Sequence, residues 1–302
     1  MRVRVPDAVR RIRLDEGYEL VTYRYGPPPD EASAVLVCLN GGPGLPCDYL
    51  RESHSCLAEL GWCVVFYDQL GCGASDRPDD ASLWTLERYV AELEQVRATL
   101  GIGRFHLLGH SWGTWLGTEY CLTHPDRVLS YVAADGAVDI PHLVGELHRL
   151  RQALGDQTVN MMLRREADGS IEHPEYQAAI TLLNYRHVCR LDQWPAPLKA
   201  SIAGWNMAPY VAMQGPNEFT YTGNMKDWNR IPALPAITIP CLVLAGEFDE
   251  LPPTCSRKMH DALPDSTLVI FRDCSHMPFY ERPADYFVVL TTFLRKAASG
   301  AR

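Results

Sequence analysis

Residues 104–120 read Arg-Phe-His-Leu-Leu-Gly-His-Ser-Trp-Gly-Thr-Trp-Leu-Gly-Thr-Glu-Tyr. An apolar run of strand length meets a sharp turn and opens into a helical stretch. At its centre, Gly109-His110-Ser111-Trp112-Gly113 fits G-x-S-x-G. Such a turn holds its serine in a strained conformation and projects the hydroxyl from the top of a sheet. The flanking positions must be small, because strand and helix nearly touch there. The pattern alone is weak; its place between an apolar strand and an amphipathic helix is what gives it weight.

Outward from this turn, strands are expected at 18–25, 34–40, 62–68, 104–109, 128–134, 238–246 and 266–272. Several are continuous Val, Leu, Ile and Phe runs, the mark of strands buried on both faces. Helical stretches lie between them, including 84–100, 112–124 and 282–297. The alternation predicts an α/β fold with a mostly parallel sheet and right-handed crossovers. Ligands in such sheets gather beyond the carboxyl ends of the strands. The alternation stops near residue 137, and roughly 95 residues pass before the strand that contains Cys241-Leu242-Val243-Leu244. That is too long for a structureless loop. It carries helical patterns (residues 142–154) and many aromatics, among them Tyr176, Tyr185, Trp194, Trp205, Tyr210, Phe219, Tyr221 and Trp228. The expected organisation is a core of residues 1–137 and 233–302 with a helical cap, 138–232, inserted between its parts; an independent second domain is the other reading.

The chain has 302 residues, 47% hydrophobic and 22% charged, with a formal net charge of −9. Such a chain can bury a large core. Its acidic balance argues against nucleic acid as a partner, and no basic cluster suggests an anionic membrane surface. The ten cysteines form no C-x-x-C pair, so a zinc site is poorly supported. Several sit inside apolar runs (Cys38, Cys63, Cys241), which reads as free thiols in a reducing cytoplasm. The basic N-terminal stretch lacks the apolar region of a signal peptide, and no run approaches the ~18 apolar residues of a membrane span. No metal or cofactor is called for.

A serine hydroxyl needs a base to take its proton. In the α/β-hydrolase fold the partners follow in the order Ser, acid, His. Asp249 ends a late strand and His276 follows the last one, so Ser111, Asp249 and His276 are the candidate triad. Glu247 and Asp135 are rival acids. His110 precedes the serine within the strand and reads as a packed histidine. Two backbone N–H groups should form the oxyanion hole: one from Trp112, after the nucleophile, and one from the glycine loop after an early strand, Asn40-Gly41-Gly42-Pro43-Gly44. Asp68, in Asp68-Gln69-Leu70-Gly71-Cys72-Gly73-Ala74-Ser75, reads as a tie between neighbouring loops, and Cys72 as structural.

These motifs, with Gly215-Pro216-Asn217-Glu218-Phe219, Thr222-Gly223-Asn224-Met225-Lys226-Asp227-Trp228, Gly246-Glu247-Phe248-Asp249-Glu250 and Asp273-Cys274-Ser275-His276, resemble the proline iminopeptidases and their amidase relatives over almost the whole chain. The insertion motifs look most like the tricorn-interacting type. The resemblance implies an α/β-hydrolase fold with a helical cap after the sixth strand. It also implies Ser111, Asp249 and His276 as triad and Gly42 as oxyanion glycine. Glu218 and Glu250 would hold the substrate's free α-ammonium, with Tyr210 near the substrate. Paired carboxylates suit that task through charge-assisted hydrogen bonds. The family usually has His where this chain has Asn40, which leaves open which first residue is preferred.

The expected function is therefore a serine aminopeptidase acting on a peptide or aminoacyl amide through an acyl-enzyme. One alternative is an amide hydrolase that strips an aminoacyl group from a small-molecule intermediate. A second, of another class, is a ligand receptor that keeps the fold without turnover.

Overall fold

The computed structural model describes residues 4–300; the first three residues of the basic N-terminal stretch lie outside it. Eight strands form one sheet: β1 (Ala8–Arg13), β2 (Glu19–Tyr25), β3 (Val35–Leu39), β4 (Cys63–Asp68), β5 (Phe105–His110), β6 (Val128–Ala134), β7 (Cys241–Gly246) and β8 (Ser266–Phe271). Their order is β1-β2-β4-β3-β5-β6-β7-β8. β1 and β2 pair antiparallel, β2 joins β4 antiparallel, and every pairing from β4 to β8 is parallel.

β1 is the strand that the sequence reading did not anticipate. Its residues, Ala-Val-Arg-Arg-Ile-Arg, bury only Ile12 among three arginines and an exposed valine. An edge strand half in water carries neither a continuous apolar run nor a clean alternation. The central strands are the reverse case: every residue of β3, β4, β5 and β7 is buried. Alternate side chains feed the two faces. Val35, Val37 and Leu39 join one core cluster, and Leu36 and Cys38 join the other.

The helices are α1 (Asp48–His54), α2 (Leu86–Thr99), α3 (Trp112–Thr123), α4 (Ile140–Gln152), α5 (Asp156–Ala167), α6 (Pro174–His187), α7 (Ala196–Ala203), α8 (Met207–Met213), α9 (Pro253–Ala262), α10 (Pro278–Glu281) and α11 (Pro283–Ala298). Helices α4 to α8 all fall between β6 and β7. Among the described residues no helix is long and apolar enough to cross a membrane.

The chain turns just beyond the carboxyl ends of β3, β5, β6, β7 and β8 carry Gly41 and Gly42, Ser111, Asp135, Asp249 and His276 respectively. Parallel strands all end at one edge, so five segments far apart in sequence converge there.

Candidate active site

Ser111 has φ 57° and ψ −124°, a conformation that costs a non-glycine residue about 1–3 kcal/mol. The surroundings over-determine it. The Ser111 amide donates to Ala134 O at 3.0 Å, and the Thr114 amide donates to Ser111 O at 2.7 Å. The glycines on either side permit the packing. A Cβ on Gly109 would lie 2.1 Å from Gly113 O, and one on Gly113 would lie 2.3 Å from Leu39 O. Gly113→Ala should therefore destabilise the fold by about 3 kcal/mol by driving α3 off β3. Urea unfolding measures this, and an unchanged midpoint would show that the contact is not tight.

Ser111, His276, Glu218, Glu250, Gly41 and Gly42 line one cavity, walled on its apolar side by Val188, Leu198, Ile202 and Trp205. His276 Nδ1 donates to Asp249 Oδ1 at 2.7 Å, and the Leu251 amide donates to the same oxygen at 2.9 Å. With Nδ1–H so committed, Nε2 is the basic nitrogen, and it lies 3.4 Å from Glu250 Oε1. Neither rival acid is hydrogen-bonded to His276. Glu247 accepts from the Asp273 amide at 3.0 Å. Asp135 is fully buried and accepts from the Gly246 amide at 3.1 Å. Among the described residues no group of three or more His, Cys, Asp or Glu side chains is arranged to hold a metal ion.

The glycine loop is held by its own asparagine. Asn40 Nδ2 donates to Leu45 O at 2.6 Å and to Gly41 O at 3.2 Å. Asn40 Oδ1 accepts from Gln69 Nε2 at 3.4 Å, and Gln69 Oε1 accepts from Trp112 Nε1 at 2.9 Å. The two segments expected to supply oxyanion donors are thus tied through one amide chain. Gly42 has φ 116°, open to glycine and strained for any side chain. Trp112 is the first residue of α3, where a helix leaves its N–H groups without internal partners.

A second chain of hydrogen bonds runs beneath the first. The Gly41 amide donates to Tyr49 Oη at 2.7 Å, Tyr49 Oη meets His110 Nδ1 at 2.7 Å, and His110 Nε2 meets His276 O at 2.9 Å. A carbonyl only accepts, so His110 Nε2 carries the proton. Burial pushes the His110 imidazole well below its usual range, so the ring is neutral and its Nδ1 accepts from the Tyr49 hydroxyl. His110 is packed, and it also joins the glycine loop to the His276 loop.

Glu250 is buried and Glu218 partly so. Glu218 Oε2 accepts from Gln214 Nε2 at 2.9 Å, and the same Nε2 donates to Tyr210 Oη at 2.7 Å. Burial raises both glutamates above the ordinary carboxylate range, and the neighbouring Glu218 and Asp249 charges push Glu250 further. Two such carboxyls in one cavity favour a cation between them. Tyr210 itself does not line the cavity. Its ring packs edge-on against Trp205 at 4.6 Å between centroids, and Trp205 Nε1 donates to Pro43 O at 2.8 Å.

Local motifs did not reveal Tyr49, Gln214 or His187. The His187 carbonyl, at the end of α6, accepts from the amides of both Glu250 and His276 at 3.1 Å, so the inserted helices are stitched to both loops. Asp68 accepts from the Cys47 amide at 3.0 Å, the Ala74 amide at 2.9 Å and Tyr23 Oη at 3.0 Å, linking three segments. Cys72 is buried and its thiol is pushed up by that burial, which suits packing and not nucleophilic attack.

A family model described as alpha/beta hydrolase fold matches residues 34–283. A proline iminopeptidase of Heyndrickxia coagulans is 36% identical over 260 residues, 86% of this chain and 90% of that protein. The chain belongs to the proline iminopeptidase family of α/β hydrolases. Among solved structures, the proline iminopeptidase of Mycobacterium smegmatis superposes with a TM-score of 0.89 at 32% identity, covering 98% of this chain and 100% of that one. VinJ superposes with a TM-score of 0.91 at 31% identity, covering 97% of this chain and 99% of that one. Membership in this family of hydrolases makes the chain an enzyme.

Proposed function

We propose that the protein is a serine aminopeptidase that cleaves the amide bond after an N-terminal residue with a free α-amine. The observation that carries this reading is the meeting of Glu218 and Glu250 with Ser111 and His276 in one cavity. A general amidase gains nothing from two buried carboxylates beside its nucleophile. An enzyme for free amines gains charge-assisted hydrogen bonds to the ammonium. In this mechanism Ser111 Oγ attacks the carbonyl carbon while His276 Nε2 takes its proton. Asp249 holds the imidazole and stabilises the imidazolium. The Gly42 and Trp112 amides receive the oxyanion. His276 then returns the proton to the leaving amine, and water releases the acyl group by the same steps in reverse order. Residues 138–232 act as the cap that brings Glu218, with Tyr210 behind it, over the nucleophile. Ten free cysteines support a cytoplasmic location.

The test is a panel of aminoacyl-naphthylamides differing in the first residue, each beside its N-acetylated form. Relatives named proline iminopeptidase make proline the first residue to try. At least one free-amine substrate should be hydrolysed about 100-fold faster than its acetylated form. Equal rates across every pair would overturn the amine-recognition reading. Turnover confined to long-chain aminoacyl amines would redirect it to a small-molecule amidase.

A further inference from the structure

Asp135 sits just past β6, fully buried, with φ 52°. Its amide donates to Leu244 O at 2.8 Å, which fixes it beside the β7 end from which Asp249 departs. Asp135 Oδ1 accepts from the Gly246 amide at 3.1 Å. Asp249 Oδ1 is doubly occupied by His276 Nδ1 and the Leu251 amide, at 2.7 and 2.9 Å. The other oxygen of each carboxyl, Oδ2, is buried and has no donor. The Asp249 amide donates at 3.3 Å to the carbonyl of Gly246, the residue whose amide holds Asp135, so the two carboxyls are neighbours at the end of β7. Two ionised carboxylates buried side by side would repel each other and leave each Oδ2 without a donor, an unfavourable arrangement.

The neighbouring imidazole cannot serve. His110 Nε2 is 4.0 Å from Asp135 Oδ2, beyond hydrogen-bond range, and is committed to His276 O. The remaining titratable groups around Asp135 are Tyr49, Cys274, His276, Glu281 and Tyr286. His276 is turned to Asp249, and Glu281 adds negative charge. None of these side chains is hydrogen-bonded to either Oδ2.

We propose that Asp135 is a positioning residue held as a neutral carboxylic acid, which donates its proton to Asp249 Oδ2. The acid then does two things for the reaction. It completes the hydrogen bonding of Asp249, leaving Oδ1 free to orient His276. It also draws charge from Asp249 and so moderates the basicity of the imidazole. Burial and the Asp249 charge both raise Asp135 far above the usual carboxylate range, in keeping with this state. The proposal rests on the reading of Asp249 and His276 as triad members.

The first measurement needs no turnover. The infrared spectrum of the wild-type protein at pH 8, minus that of Asp135→Asn, should contain a protonated-carboxyl C=O stretch. The subtraction removes the bands of Glu218 and Glu250. The second is the pH profile of kcat/KM on an acetylated ester, which does not engage the glutamate pair. Asparagine is isosteric with the neutral acid, donates to Asp249 and still accepts from Gly246, so the acid limb should stay in place. Asp135→Ala, which removes the donor, should move that limb upward by about one pH unit. A missing infrared band, or a limb that falls by a unit in Asp135→Asn as it would on losing an anion, overturns the proposal. So does an unmoved limb in Asp135→Ala. A wild-type rate in Ser111→Ala would instead remove the triad reading and leave the infrared result standing.

Discussion

Ser111→Ala should lower kcat on an aminoacyl-naphthylamide by about 10⁴- to 10⁶-fold, equivalent to about 5–8 kcal/mol of transition-state stabilisation. The size follows from what the substitution removes. The covalent route is lost outright, while the cavity and its amide donors stay. The residual rate reports those donors alone. Damage to the fold should be slight. Ser111 Oγ makes no hydrogen bond with any described residue, and alanine tolerates the φ of 57° about as well as serine. No other side chain can replace the hydroxyl, because Cys72 and Cys47 are buried thiols pushed well away from ionisation. Fluorescent release of naphthylamine measures the effect, with thermal unfolding as the control for folding. A rate within tenfold of wild type would take Ser111 out of the mechanism.

The second large effect concerns the glutamates. Glu218→Gln should reduce kcat/KM on a free-amine substrate by about 10²-fold, the usual consequence of removing one member of a desolvated charge pair. It should change hydrolysis of an acetylated ester less than threefold. An equal loss on both substrates would mean that the substitution had only disordered the inserted helices. Glu218 gives the cleaner test, since Glu250 also faces His276 Nε2 at 3.4 Å. The raised glutamates add a pH signature. At a pH between the ordinary carboxylate range and their raised values, the empty pair holds a proton. An incoming ammonium must expel it, so kcat/KM for a free amine should rise with pH through this window. It should fall again only as the substrate amine deprotonates, near pH 8 for an ordinary α-amine. Acetylated substrates should lack this component and keep only the acid limb of the triad. The same shifts act on stability. A carboxyl raised in the folded state favours folding while protonated, and that contribution is lost as pH rises through the raised value. Glu250→Gln should therefore unfold at a higher temperature than wild type at pH 8. A lower midpoint would contradict the cost assigned to the buried charge.

The elbow around Ser111 was legible because every requirement on it is local: a small residue at 109 and 113, a strand before, a helix after. The same holds for the buried strands, whose apolar runs are continuous because both faces are covered. β1 was missed for the complementary reason, since an edge strand rich in arginine has little to bury. Glu218 and Glu250 stood out only through resemblance to a family, since a glutamate in a long insertion looks like any solvated charge. Tyr210 came through the same resemblance; it shares Gln214 Nε2 with Glu218 and stands one side chain back from the cavity.

The sequence by itself determined the α/β architecture and marked Ser111, Asp249 and His276 as candidates in that order, because short-range sterics and burial leave a pattern in the residues that obey them. Only the tertiary structure decided how these residues are supported. Tyr49 and His110 join the glycine loop to His276, His187 ties the inserted helices to the Glu250 and His276 loops, and Asp135 comes to rest beside the loop of Asp249. Those partners lie tens to more than a hundred positions apart in the chain. They meet because parallel strands end at one edge of the sheet, and nothing in their local sequence records which ends will touch.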